Sequence, residues 1–537
     1  MDTSRLLRTS GTLAATAALL LSALTAGPAA PTASASARPQ DGDEPGTTTV
    51  ATGPEETGAG PAGPAAAGLL RPYYAQKLRW HSCTGKGAGF ECASMKVPLD
   101  YASPRAGDIT LAVARKRATG SSGHLGSLLV NPGGPGGSAI DYLQSHAATK
   151  YPAEVRARYD LVAADPRGVG RSTPVTCLSD GEMDRYTQAD PNPRTAAQTR
   201  GYVANLKKFS QGCATRAGRM LRHVSTVEAA RDMDVLRGLL GDGKLHYVGA
   251  SYGTFLGATY AELFPSRVGR LVLDGALDPS LSAERINREQ AAGFQTAFTS
   301  FARDCARQVE CPLGTTGPDE AGKRLRAFLA RLAGHPLTTH DSRRLTEGLA
   351  TTGVIAAMYD EGAWPALRRA LSDAADGDGT VLLALSDAYY ERDEHGAYSN
   401  LMAANSAVNC LDAPAAFHGP EDVRRALPAF RKASPVLGEA LAWASLGCAY
   451  WPVRPTGHPH RITAHGAAPI LVVGTTRDPA TPYPWARSLA SQLSSGRLLT
   501  YDGDGHTAYT RGSECVDEAV DSYLLTRTPP PATRRCS

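Results

Sequence analysis

The hydrophobic positions of this chain follow two rhythms that alternate along its length. Short runs such as LLV at Leu128–Val130, LVAA at Leu161–Ala164, LVL at Leu271–Leu273 and ILVV at Ile470–Val473 carry no polar alternation. Continuous apolar runs of this length are expected of strands covered on both faces. The strands so predicted are Lys96–Tyr101, Ile109–Arg117, Ser127–Asn131, Leu161–Asp165, Leu245–Gly249, Leu271–Leu273, Ile470–Val473 and Leu498–Tyr501. Between them lie stretches with apolar residues at helical spacing. One of these, Ser225–Leu240 (STVEAARDMDVLRGLL), opens with a Ser-Thr pair suited to capping. The alternation predicts an α/β fold with a mostly parallel sheet.

The alternation is interrupted once on a large scale. Residues Ala276 to His465 separate the sixth predicted strand from the seventh, and helical patterns such as Gly322–Leu332 and Asp422–Ala433 fill the gap. This reads as a helical cap, 276–465, inserted between two parts of one core, 71–275 and 466–537.

The N-terminal end follows neither rhythm. Arg5 and Arg8 precede an uncharged stretch, Gly11 to Ala26 is apolar, and Ala33-Ser34-Ala35 and Ala35-Ser36-Ala37 offer small-residue exits. That layout predicts a secretory signal peptide over 1–37, and hence an extracellular protein with no membrane anchor after its removal. The apolar part is too short for a membrane span and is followed by Pro28 and Pro31. Residues 38–70 are dominated by Gly, Pro, Ala and Thr, and the first aromatic residue of the chain is Tyr73. Such a segment buries too little apolar area to offset its ordering entropy, so it is expected to be a flexible leader or propeptide.

Charge and cysteine content narrow the function classes. Of the 537 residues, 56 are Lys or Arg and 52 Asp or Glu, a net charge of +4 that disfavours a dedicated nucleic-acid binder. All ten cysteines follow the leader, and an even count in an exported chain argues for disulfides. Neither C-x-x-C nor H-E-x-x-H occurs, so zinc chemistry has little support. Pairing sequence neighbours gives the expected bridges Cys83–Cys92, Cys177–Cys213, Cys305–Cys311, Cys410–Cys448 and Cys515–Cys536.

Candidate chemistry lies at the ends of the predicted strands. Gly249-Ala250-Ser251-Tyr252-Gly253 matches G-x-S-x-G, follows the strand-like Leu245–Val248 and leads into the small apolar run Thr254–Ala261. A strand-to-helix elbow there would hold the Ser251 hydroxyl exposed in a strained turn. A serine needs a base, and the order nucleophile, acid, histidine is characteristic of such folds. Among the 13 histidines only His506 lies beyond the seventh strand, in Gly503-Asp504-Gly505-His506-Thr507. Asp478, in Thr476-Arg477-Asp478-Pro479, is the preferred acid because it comes from a different strand end, and Asp504 is its competitor. Asn131-Pro132-Gly133-Gly134-Pro135-Gly136-Gly137-Ser138 offers backbone N–H groups that can approach a substrate oxygen. The N–H groups of Gly134 and Tyr252 are expected to form the oxyanion hole. A phosphate cradle is disfavoured because no G-K-[ST] follows the glycines, and Asp165-Pro166-Arg167-Gly168-Val169-Gly170-Arg171-Ser172 reads as a structural turn. This chemistry calls for no metal or other cofactor.

With these motifs the chain resembles the α/β-hydrolase fold, and more closely the proline iminopeptidase-like serine peptidases. NPGGPGGS, DPRGVGRS, GASYGTFLG, RLVLDGALDP, RDPATP and GDGHT together look like secreted bacterial tripeptidyl aminopeptidases, over nearly all of Arg71 to Ser537. Proline iminopeptidases often have His before the Gly-Gly-Pro-Gly run, where this chain has Asn131-Pro132, which fits the tripeptidyl group better. The resemblance implies release of tripeptides from free N-termini of peptides and proteins, through an acyl-enzyme on Ser251. Measuring three residues requires a closed end and a partner for the substrate ammonium, with Asp360, Glu361 and Asp412 of the cap as candidates. An extracellular carboxylesterase or a proline iminopeptidase with the same triad is the alternative, and a non-catalytic binding protein on this scaffold is disfavoured by the presence of all three triad residues.

Overall fold

A computed structural model describes residues 64–531 and 534–537. The expected signal peptide and most of the expected leader lie outside the described residues. The last part of that leader behaves differently from expectation, because a helix begins at Pro64 and runs to Ala75. Its sequence, PAAAGLLRPYYA, is rich in Ala and Leu, the strongest helix formers. Beyond the compositional bias, Tyr74 anchors this helix by donating its hydroxyl to Asp234 Oδ2 at 2.6 Å.

Ten strands form one sheet: β1 His81–Ser82, β2 Glu91–Pro98, β3 Asp108–Lys116, β4 Ser127–Asn131, β5 Asp160–Ala164, β6 Leu245–Ala250, β7 Val268–Asp274, β8 Ile470–Arg477, β9 Gly496–Asp504 and β10 Arg535–Cys536. Their order is β1-β2-β3-β5-β4-β6-β7-β8-β9-β10. The first three pairings are antiparallel and all those from β5 through β10 are parallel. The eight predicted strands are all present, and the two missed ones are two residues long, too short to carry a hydrophobic period.

The unbroken apolar runs follow from burial on both faces. Leu129, Tyr247, Leu271, Leu273 and Val472 pack into one cluster, while Leu128, Val130, Val248, Val272, Leu471 and Val473 pack into another. Strand residues alternate sides, so each run feeds two cores. On one side, helix Thr226–Leu239 starts where expected, with the Ser225 hydroxyl accepting from the Glu228 N–H.

Between β7 and β8 the chain forms eight α-helices, from Ala283–Ala306 to Gly438–Ala444. A separate cluster of Phe294, Phe298, Phe301, Leu325, Leu349 and Leu367 gives this insert its own core. It is not the only helical excursion. Helix Ala196–Ala217, between β5 and β6, joins it through the Tyr202–Trp443 ring contact at 5.8 Å, and Arg194 pairs with Glu347 at 2.8 Å. Five disulfides are present, and they are the five expected from sequence neighbours. No helix among the described residues is long and apolar enough to cross a membrane.

Candidate active site

β6 ends in an elbow. Ser251 has φ 55° and ψ −125°, a strained conformation for a residue with a side chain, and helix Tyr252–Leu263 begins immediately after it. The chain can turn this sharply because Gly249 lacks a side chain: a Cβ there would lie 2.4 Å from the Gly253 carbonyl. The Ser251 N–H is held by the carbonyl of Asp274, at the end of the adjacent β7, at 2.8 Å.

The loop after β4 lies against this elbow. A Cβ on Gly133 would come within 2.9 Å of both Ser251 Cβ and the Tyr252 nitrogen, so glycine is required for the approach. The Gly133 N–H is consumed by Asn131 Oδ1 at 2.9 Å. Asn405 of the insert donates to the Pro135 carbonyl at 3.0 Å and so fixes the far side of the loop. The two expected oxyanion donors, Gly134 and Tyr252, therefore belong to segments in direct contact.

Asp478 and His506 meet as expected. Nδ1 of His506 lies 2.8 and 2.9 Å from the two carboxylate oxygens, and the residues are 2% and 4% exposed. The Asp478 carboxylate also accepts from the N–H groups of Ala480, Thr481 and Thr507 and from the Thr481 hydroxyl. Burial alone would raise its pKa, but the His506 ring and these donors outweigh burial and hold it below the usual carboxylate range. Asp504 is engaged by Arg477 at 2.9 Å instead, which removes it as the histidine's partner. Nε2 of His506 is buried and has no hydrogen-bond partner among the described residues. It is thus not yet bonded to Ser251 Oγ, an arrangement common before substrate tightens the site.

The three carboxylates expected to meet a substrate amine fare differently. Asp360 is bound by Arg511 Nη2 at 2.8 Å and by the Gly362 N–H, which leaves it no charge to spare. Asp412 accepts from the Thr226 N–H at 2.8 Å and from its hydroxyl, and that hydroxyl also bonds the Tyr252 phenol. Burial raises the Asp412 pKa to about 7. Glu361 is solvent-accessible and makes no hydrogen bond or ion pair among the described residues. Partial burial first, and then the nearby Asp504 charge, push its pKa up.

Sequence reasoning missed two residues of this region. Thr481 stands three positions after Asp478 and could have been suspected from that spacing alone. Asp274, which contacts both the elbow and the histidine loop, needed the β7–β8–β9 neighbourhood to be noticed. By contrast the DPRGVGRS segment is structural, as expected: Arg167 is 1% exposed and bonded to Asp232 and to the carbonyls of Pro98, Leu99 and His223. Asp100, His223 and Glu228 are the one group among the described residues that brings three possible metal donors within 4.8 Å. Glu228 there already pairs with Arg167 at 3.4 Å, so the group is an ion-pair cluster.

The sheet order, the elbow after β6 and the histidine–carboxylate pair beyond β8 and β9 define a hydrolase of the α/β-hydrolase superfamily. Residues 126–359 match the family model described as alpha/beta hydrolase fold, and residues 434–536 match the one described as TAP-like protein. The chain belongs to this TAP-like family of α/β hydrolases. It is 40% identical over 490 residues to serine protease Hip1 of Mycobacterium tuberculosis, covering 87% of this chain and 92% of that protein. Carboxylesterase B of the same species is 40% identical over 498 residues, with 90% and 93% covered. Tripeptidyl aminopeptidase of Streptomyces coelicolor is 32% identical over 471 residues, with 84% of each chain covered.

Proposed function

We propose that this protein is a secreted serine exopeptidase that releases tripeptides from the free N-termini of peptides and proteins. The observation that carries the reading is the buried Asp478–His506 pair, with Nε2 left unpaired, beside the strained Ser251 elbow. His506 Nε2 takes the Ser251 proton as Oγ attacks the third peptide bond, and Asp478 holds the ring in the tautomer that permits this. The N–H groups of Gly134 and Tyr252 receive the developing oxyanion. His506 returns the proton to the leaving amine, and water then releases the tripeptide from the acyl-enzyme by the same route.

The relative named tripeptidyl aminopeptidase supports the specificity, and the five disulfides suit an oxidising compartment outside the cytoplasm. With Asp360 taken by Arg511 and Asp412 by Thr226, Glu361 is the sequence-derived carboxylate left to meet the substrate ammonium. A second reading, an extracellular carboxylesterase using the same residues, draws on the relative named carboxylesterase B. Di-, tri- and tetrapeptide chromogenic amides with free or acetylated amines, run beside simple esters and a proline amide, separate these readings. Preferred turnover of the free tripeptide amide is expected, and Glu361→Gln should raise KM roughly tenfold with kcat little changed. Equal turnover of free and acetylated tripeptides would sink the exopeptidase reading, and preference for the proline amide would replace it with an iminopeptidase.

A further inference from the structure

Asp274, the last residue of β7, touches both halves of the candidate machinery. Its main-chain carbonyl accepts the Ser251 N–H at 2.8 Å. Its carboxylate accepts the Ala508 N–H at 3.1 and 3.0 Å and the Tyr509 N–H at 2.9 Å, the second and third residues after His506. The next residue, Gly275, donates to the Val473 carbonyl of β8, and a Cβ on it would lie 3.3 Å from His506 Cε1. We propose that Asp274 is the positioning residue of this active site: its carbonyl fixes the nucleophile elbow and its carboxylate fixes the histidine loop, so that one residue sets their separation. The proposal rests on Ser251 and His506 having the roles given above.

The burial of Asp274 argues that this arrangement is functional. The residue is 3% exposed, and no cation pairs with its carboxylate among the described residues. Facing it are the His506 ring, the Asp478 carboxylate and the hydroxyls of Tyr142 and Tyr151. Asp517 and Asp521, on helix Glu514–Thr526 behind the loop, are bonded to the Thr510 N–H and the Tyr509 hydroxyl. Burial first, opposed by the two N–H donors, raises the Asp274 pKa to about 6. Asp478 is held low, so between about pH 5 and 6 the two carboxylates differ in charge. A carboxylate without a cation, kept where it is hardest to ionise, contributes little to stability at neutral pH and much to geometry.

The test compares Asp274→Asn with the wild type on a tripeptide chromogenic amide, with Ser251→Ala as the control. Persisting activity in Ser251→Ala would reject the mechanism and overturn the proposal with it, an outcome told apart from the next by this control. Given an inactive Ser251→Ala, Asp274→Asn is expected to lower kcat at least thirtyfold with KM within threefold. The acid limb of log kcat/KM should lose about one unit of slope in the variant, because Asp274 no longer titrates there. A folded Asp274→Asn with kcat within threefold of wild type overturns the proposal, as does an acid limb whose slope the substitution leaves unchanged. Should Asp274→Asn not fold, amide hydrogen exchange in the wild type decides. Protection at Ala508 and Tyr509, corrected for intrinsic rates, should fall below pH 6 while Thr507, bonded to Asp478, stays protected. Constant protection at all three overturns the proposal equally.

Discussion

Asp478 and Asp274 at the C-terminal edge of the sheet and Glu361 of the helical insert are treated in opposite ways. At the sheet edge Asp478 is saturated by five donors and Asp274 by two backbone N–H groups, with both side chains enclosed. In the insert, Glu361 has no hydrogen-bond or ion-pair partner among the described residues, unlike its neighbour Asp360, which Arg511 holds. The first arrangement fixes atoms in advance of substrate, which is what electrostatic stabilisation of a transition state requires. The second leaves negative charge uncommitted where a cationic chain end could meet it. On the proposed function, catalysis and recognition would occupy different regions, and each could be broken separately.

The largest effect is expected at the fixed edge. Ser251→Ala should reduce kcat by on the order of 10⁵–10⁶-fold, with KM close to wild type, when initial rates are measured on the free tripeptide amide. A loss of only tenfold would mean that the elbow is not the nucleophile, and the contrast between the two regions would lose its catalytic half.

A smaller effect should come from the joint between the regions. Arg343 of the insert has a 4% exposed side chain and bonds Asp387 at 2.7 Å and Asp341 at 3.0 Å, with Asp184 of the preceding core segment 3.8 Å away. Arg343→Met leaves Asp387 without its cation, while Arg392 still pairs with Asp184 at 3.0 Å and Asp341 at 3.3 Å, so the cost should fall below the about 3–5 kcal/mol of a fully buried pair. Denaturant unfolding should show that loss, while Ser251 remains reactive toward a fluorophosphonate in the fraction still folded. Unchanged stability would show that the insert does not depend on this ion pair.

The same division governs what could be read from the sequence. The sheet edge was legible because its signals are local: Ser251 sits within G-x-S-x-G, Asp478 and His506 each follow an apolar run, and the disulfide partners are sequence neighbours. The insert was legible only as helix. Asp360 looked available as an amine partner because Arg511, which neutralises it, lies 151 positions away. Helix Ala196–Ala217 was not assigned to the insert because its Tyr202–Trp443 contact, and the Arg194–Glu347 pair just before it, are tertiary. The helix from Pro64 was missed for a related reason, since composition describes how a segment behaves alone and Tyr74 binds it to Asp234. Asp274 reads in sequence as one acidic residue in RLVLDGALDP, and its importance comes entirely from the two loops that fold beside it.

The smallest effect concerns Asp412, the insert carboxylate that reaches the elbow. Its pKa of about 7 in the folded chain, raised by burial, compares with about 4 for an unfolded aspartate. Raising a carboxyl pKa on folding means that the folded state holds this proton more tightly. The resulting stabilisation is complete below about pH 4, declines as pH rises, and is gone above about pH 7. Between pH 5 and pH 8 the wild type should therefore lose roughly 2–3 kcal/mol more stability than Asp412→Asn, measured by denaturant titration of both proteins. The Thr226 hydroxyl lies between Asp412 and the Tyr252 phenol, so the same titration should leave a trace in catalysis. When Asp412 is charged it accepts the Thr226 proton, and Thr226 can then accept from Tyr252. Asp412→Asn keeps an acceptor at that position but removes the charge, so kcat should change less than threefold and lose whatever pH dependence the wild type shows near pH 7. Parallel stability curves for the two proteins would show that burial does not hold the Asp412 proton in this range.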